Sequence, residues 1–463
     1  MDSMVANYTP LKKKREEDAM SPNDNPNMRP DKPTIVYTNR LKEISDKPVV
    51  IGGVEASLRR FAHYDYWENK VRKSILLDSK ADILVYGFSE KSLLEIVQRL
   101  RENKGLGDIN GTVIKFKIPI GIEMPSFEDC LADKKRYAEY AKIIHLNTTK
   151  QLSQKHGDWY IVQNNAMEMT TKDVDFIAEL PYLREAHPSY KNSVSGIRSV
   201  LFSVSTHRGC FGGCSFCAIT YHQGKKVISR SEDSILREIT NLTKHPEFKG
   251  EIFDLGAATA NMWHMDDGRI NHKPLISLMR KVRTIDGVKH VFVRSGIRFD
   301  LAMQDDEYME ELLKYHVSGN LKVAPEHVSK NICSLMGKPS GERFAEFLKK
   351  FAKITKKVGK PNQKVISYFM AAHPGCSLNE MKELMQFTKK NDCYSSQVQL
   401  FTPTPMTLST AMYYTGLNPL TMQPIYVSYT YHEKKLQKAV MCWKEKDQKQ
   451  KLKQAMDELE ADN

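Results

Sequence analysis

The chain has 463 residues, with 41% hydrophobic and 27% charged content, the proportions of an ordinary globular protein of two or three domains. No stretch approaches the length of an apolar membrane span, and the charges at the N-terminus have no apolar core behind them, so neither a transmembrane helix nor a secretory signal is expected. The net charge of +13 is spread along the chain, so it permits a nucleic acid or another polyanion as partner without requiring one.

Residues 1–33 are polar and rich in Pro, Asn and Asp, and read as a tail or an extended arm. Residues 34–110 form an α/β pattern. TIVYT (34–38), PVVIGG (48–53) and ADILVYG (81–87) are short apolar runs of buried-strand type, and Ser89 is placed to cap the amphipathic EKSLLEIVQRL. This is a partial Rossmann-like unit without G-x-G-x-x-G, so it carries no dinucleotide signal. Within it, RRFAHYDYWENKVRKS (59–74) is dense in aromatic and basic residues. A surface helix and loop packed on a neighbour is the plainer reading, and a surface for a macromolecule is the other. Residues 111–195 contain the strand candidate TVIKFKIPIGI, a long polar helical stretch near 128–155 and the strand-like WYIVQN, and read as a connector with its own helix.

A regular alternation runs from 196 to 412. Strands are expected at 199–206, 250–256, 289–295, 320–326, 365–372 and 395–401, with amphipathic helices between them. Six β/α repeats imply a parallel sheet curled into an open partial barrel, with its chemistry at the strand C-termini. Residues 413–463 read as a helical extension. Leu436, Val440 and Trp443, and again Leu452, Met456 and Leu459, recur at helical spacing. Its polar content suits an exposed capping helix or a helix for a partner.

Eight cysteines are present, and three of them, Cys210, Cys214 and Cys217, sit in RGCFGGCSFC just after the first barrel strand. Three thiolates on one glycine-containing loop can ligate three irons of a 4Fe-4S cluster and leave the fourth iron open for chemistry. The other five are scattered, which argues against a disulfide framework and for the cytoplasm. Two other readings stay open. His207 or His222 could complete a zinc site in a nucleic-acid-binding module, or Cys376 could close the cluster into a non-catalytic electron carrier.

The C-x3-C-x2-C loop on an open six-unit barrel resembles the radical S-adenosylmethionine (SAM) superfamily. VIGGVEASLRRFAHYDYWENKVRKSILLDSKADILVYG, STHRGCFGGCSFCAIT, LKVAPEHVS, YFMAAHPGC and FTPTPMTLSTAMYYTG are similar to the YgiQ-type family of uncharacterised radical SAM proteins. The resemblance implies a 4Fe-4S cluster on Cys210, Cys214 and Cys217, and SAM at the open iron. It implies reductive cleavage to a 5′-deoxyadenosyl radical, an electron donor such as a flavodoxin or ferredoxin, and an RNA or protein as one class of substrate. Phe216 would contact the adenine. Gly256, Ala257, Ala258 and Thr259 stand where the superfamily has a Gly-Gly-Glu-like stretch, so backbone carbonyls or Thr259 would receive the methionine amine. Arg294, Ser295, Lys322 and Glu326 would meet the carboxylate and ribose, or else form an ordinary barrel-mouth salt bridge. His373-Pro374-Gly375 resembles a Gly-Phe-Pro-Gly turn, with His373 as a turn residue or an acid. Members of that family begin earlier, with a further strand and helix. The first domain is similar to cobalamin-binding domains, but the D-x-H-x-x-G segment of such domains does not occur here.

Overall fold

The computed structural model describes residues 2–461; residues 1, 462 and 463, which belong to the expected arm and tail, lie outside them. Six short strands build the N-terminal layer: β1 (Val50–Ile51), β2 (Ile83–Val85), β3 (Thr112–Phe116), β4 (Ile122–Met124), β5 (Leu152–His156) and β6 (Trp159–Gln163). Their order is β1-β2-β3-β6-β5-β4. Only β1–β2 and β4–β5 are parallel, so the Rossmann-like part is the β1–β2 crossover. Strand β3 pairs antiparallel with both β2 and β6. This corrects the boundary expected at residue 110: strands assigned to a connector bond directly to the first unit.

The run 34–38 is not a strand. Pro33 opens the helix Pro33–Ile44, and its fixed φ and missing N–H suit a first turn. The aromatic and basic run 59–74 is corrected as well. It is neither a surface helix nor a free binding face, because Arg59, Arg60, Tyr64 and Tyr66 are all buried. The Arg60 guanidinium donates to Gln163 Oε1 at 2.7 Å and to the carbonyls of Ser57 (2.6 Å) and Tyr221 (3.3 Å). The ring of Tyr64 stacks on that of Tyr414 at 4.7 Å, which joins this run to the C-terminal region.

The barrel strands are β7 (Ser203–Ser205), β8 (Glu251–Ile252 and Asp254–Gly256, on either side of Phe253), β9 (His290–Val291), β10 (Asn320–Glu326), β11 (Lys364–Ala371) and β12 (Val398–Leu400). Strand β7 pairs in parallel with β8, β8 with β9, β10 with β11 and β11 with β12, while one parallel bridge from Ile297, six residues past β9, to Val323 of β10 spans the gap between the third and fourth units. The result is the open six-unit partial barrel. Its first strand starts at Ser203, since Ser195–Val200 is helical. Helix Gly341–Lys357 shows how the outer layer is held. It buries Phe344, Phe347, Phe351 and Ile354 along one face, and burial of each such side chain stabilises by roughly 1.5–3 kcal/mol.

Residues 2–31 are an arm docked on the body. Asp2 is buried in an ion pair with Arg59, and the Ser3 N–H donates to Glu55 Oε2 at 2.9 Å. At the other end, helices Leu408–Thr415, Tyr431–Met441 and Lys449–Ala461 are separated by non-helical chain, so the extension is not helical throughout. Leu436 and Val440 are fully buried, which corrects the exposed cap. Gln437 accepts from the Ala372 N–H and donates to the Cys376 carbonyl, both at 2.7 Å, fixing this helix to the end of β11. Among the described residues no helix is long and apolar enough to cross a membrane.

Candidate active site at the barrel mouth

Strand β7 delivers the chain to the cysteine loop. His207–Arg208 pairs antiparallel with Ile228–Ser229, closing the loop at its base. Gly209 has φ +82°, and a Cβ there would lie 2.0 Å from the Lys226 carbonyl, so the close approach requires glycine. A Cβ at Gly212 would meet Arg298 Nη1 at 2.7 Å and Cys210 Sγ at 3.2 Å. The middle of the loop is pinned from below. The Ser215 N–H donates to the Met336 carbonyl at 3.0 Å, and the Ser215 hydroxyl to the Leu335 carbonyl at 2.7 Å. The Ser409 N–H donates to the Ser215 carbonyl at 3.1 Å, and the two hydroxyls lie 2.8 Å apart.

The three thiols are partly buried and unpaired. Cys210 Sγ accepts from the Gly212 N–H at 3.4 Å and lies 3.3 Å from Thr259 Oγ1. Burial raises the Cys214 thiol, against the pull of Lys338 and Arg298. It pushes Cys217 up to about 11, against backbone N–H groups such as that of Ile219. Iron would convert these thiols to thiolates, and the N–H donor, the hydroxyl and the two cations are the partners that thiolate-bound clusters use. A zinc ion asks for four ligands around one point. Among the described residues no three His, Cys, Asp or Glu side chains are grouped to hold one ion. His207 is turned to Thr206 Oγ1 at 2.9 Å. Cys376 is fully buried with its Sγ 3.7 Å from His327 Nε2, so it does not join the loop thiols.

The remaining expected residues divide. Phe216 and Glu326 line one cavity of about 700 Å³. Glu326 ends β10 with φ +66°, is 9% exposed, and sits 4.0 Å from Lys338 Nζ. Burial raises its carboxyl, and Lys338 opposes this. Gly256, Ala257, Ala258 and Ser295 line a second cavity of about 550 Å³ beside β7. Thr259 reaches Cys210 as described. Ser295 is held by Asp254, whose carboxylate also accepts the N–H groups of Arg294 (2.7 Å) and Ser295 (3.0 Å). Arg294 and Lys322 are not brought to the loop. The Arg294 guanidinium is exposed and lies over Phe292 and Phe253 at 5.0 and 5.4 Å, and Lys322 is exposed on the strand face opposite buried Leu321 and Val323. His373 is fully buried, and burial pushes it down to about 4, so it is neutral. Its Nδ1 lies 2.8 Å from the Pro374 carbonyl, which makes Nδ1 the donor and Nε2 the acceptor for the Ser409 hydroxyl at 2.7 Å. It positions the loop through Ser409 and has no proton to give as an acid. Residue patterning did not single out Arg298, Lys338, Asp254 or Ser409, because each acts through contacts from distant segments.

An open parallel β/α array with a pinned three-cysteine loop after its first strand defines a radical SAM enzyme. Residues 204–388 match the family described as Radical SAM superfamily, and residues 1–203 match Radical SAM N-terminal. Residues 396–462 match a domain of unknown function, DUF3362. The cofactors are accordingly a 4Fe-4S cluster and SAM. More narrowly, the chain belongs to the UPF0313 family, in agreement with the YgiQ-type resemblance. It is 51% identical to the UPF0313 protein MJ1155 of Methanocaldococcus jannaschii, over 96% of this chain and 80% of that protein. It is 45% identical to a UPF0313 protein of Methanocella arvoryzae, over 98% of this chain and 82% of that one. Among solved structures, the radical SAM methyltransferase TsrM of Kitasatospora setae aligns with a TM-score of 0.49 at 13% identity, over 81% of this chain and 59% of that one.

Proposed function

We propose that Cys210, Cys214 and Cys217 ligate three irons of the cluster and that SAM binds the fourth and is cleaved reductively. The chemistry supplied by this cofactor pair is one-electron cleavage of the sulfonium bond, giving methionine and a 5′-deoxyadenosyl radical. The electron comes from a low-potential donor such as a flavodoxin or ferredoxin. What carries the reading is the loop itself: three free thiols with an N–H and a hydroxyl directed at Cys210, and Arg298 and Lys338 beside Cys214. In this reading Thr259 and the Gly212 N–H hold charge on the Cys210 sulfur. Phe216 and Glu326 form the wall that receives SAM, and the backbone of 256–258 with Ser295 offers polar groups on the other flank. Arg294 and Lys322 are left out of this set, since they make no contact with the loop. An oxygen-sensitive cluster and eight unpaired cysteines suit a reducing cytoplasm.

The test is anaerobic reconstitution followed by dithionite and SAM. Iron and sulfide near four each per chain are expected, with formation of 5′-deoxyadenosine. A Cys214→Ala variant should lose both. Wild-type turnover in that variant, or one bound zinc and no absorbance near 400 nm in the native chain, would overturn the assignment.

A further inference from the structure

The cavity of about 700 Å³ beside Phe216 is built by segments far apart in sequence. The arm supplies one wall, the ends of β10 to β12 a second, and helix Tyr431–Met441 a third. Its volume is that of a small-molecule site. Leu11, Met370 and Phe401 give it an apolar side. Lys13, Arg15 and Lys438 also line it, and all three are exposed. Among the described residues none of the three has a carboxylate within 4.0 Å, and this sets Arg15 apart from most arginines of the chain, which are ion-paired. The carboxylate lining the cavity is Glu326, buried beside Lys338. The cavity thus runs from a rim of free positive charge to a floor at the cysteine loop.

We propose that this cavity takes a small phosphorylated molecule, with its phosphate on Lys13, Arg15 and Lys438 and its apolar body against Leu11, Met370 and Phe401, leaving the Phe216 wall to SAM. As a substrate site the assignment rests on the proposed cluster chemistry; as a binding site it stands on the cavity alone. Three cations, one a planar guanidinium fork, match the charge and the several acceptor oxygens of a phosphate better than a single carboxylate. A single-stranded RNA would call for a basic groove tracking many phosphates with successive stacking rings. Here the three cations line one cavity that is walled on three sides.

Inorganic pyrophosphate is the probe, titrated calorimetrically into the reconstituted full chain with SAM present and ionic strength fixed. Saturable binding is expected, weakened roughly tenfold or more in Lys13→Gln/Arg15→Gln/Lys438→Gln, because three charged contacts are lost. The control Lys349→Gln/Lys353→Gln/Lys356→Gln removes the same charge from the exposed face of helix Gly341–Lys357. It should change binding by no more than about twofold, as expected for screened distant charges. Circular dichroism checks that both variants fold. Absence of binding to the wild type, or equal loss in the control, overturns the proposal. Tighter binding of unfractionated tRNA that falls in the same triple variant also overturns it, and assigns the rim to RNA. SAM cleavage by the wild type tests the cluster separately. Cleavage without pyrophosphate binding defeats only the cavity assignment, and pyrophosphate binding without iron or cleavage defeats only the cluster reading.

Discussion

The Thr259 hydroxyl lies 3.3 Å from Cys210 Sγ. On a thiolate that binds iron, this hydroxyl is the donor, and its bond is stronger in the more negative, reduced state of a cluster. Thr259→Val keeps the shape and removes the donor. The reduction potential of the reconstituted cluster should fall, by roughly 40 mV if the bond favours the reduced state by about 1 kcal/mol. EPR-monitored redox titration reads this, and an unchanged potential would show that the hydroxyl does not act on the cluster. Ser409 is a residue of another kind, since it touches no thiol. Its hydroxyl donates to His373 Nε2 at 2.7 Å, and the Ser215 hydroxyl, whose proton is shared with the Leu335 carbonyl, lies 2.8 Å from it, all of them buried or partly buried. Ser409→Ala leaves the imidazole acceptor unsatisfied at a cost of about 1–3 kcal/mol. The expected result is a lower urea midpoint together with less iron retained per chain, while His373→Gln, which can still accept from Ser409, should retain more.

At the scale of elements, a buried ion pair is the strongest single contact that holds the arm. Asp2 and Arg59 are 5% and 2% exposed. Burial opposes ionisation of Asp2, but the Arg59 guanidinium overrides it and holds the carboxyl below its ordinary value. Asp2→Asn takes the hydrogen-bonded carboxylate from that guanidinium, and although Glu55 and Asp65 still act on it, breaking a buried pair in this way costs up to about 3–5 kcal/mol. The arm should then become sensitive to limited proteolysis between residues 2 and 31 before the barrel does; simultaneous cleavage throughout would show that the pair does not anchor it. The same pair explains what the sequence could not disclose. The composition of 59–74 shows cations and rings, but only the fold puts Asp2 against Arg59 and Gln163 against Arg60. The Cys210–Cys217 loop and the 320–326 strand were legible because their signals are local: a fixed spacing, and an apolar run of strand length. TIVYT was misread because Pro33 at a helix start outweighs a β-branched run, a signal present in the sequence but set against strand propensity.

At the scale of the whole molecule, the fold buries many imidazoles in neutral form. Burial pushes His207, His272 and His373 down to about 4 and His327 to about 3, and the imidazole of His373 adds to the last shift. The unfolded chain has ordinary imidazoles near pKa 6.5. As pH falls below that value, the unfolded state takes up protons that the folded state refuses until about pH 4. Stability therefore decreases as pH falls through this window, and each such histidine contributes on the order of 1 kcal/mol of loss by about pH 5.5. Carboxylates act in a lower range. Glu68 and Glu311 are held down to about 2; in both, burial works against hydrogen bonds that win, from Lys32 and Lys70 to Glu68 and from His316 and Arg280 to Glu311. Their contribution is present above the ordinary carboxylate range near pH 4.3 and is lost only below it. Between about pH 6.5 and 5 the loss belongs to the histidines. Urea titrations of the purified chain before reconstitution, from pH 7.5 to 5, should show the midpoint falling steadily below pH 6.5. His373→Gln removes one titrating group from the core, so its stability should fall less steeply over the same range. A wild-type stability that stays flat from pH 7 to 5 would mean that the buried imidazoles gain access to water, or to a charge partner, without unfolding.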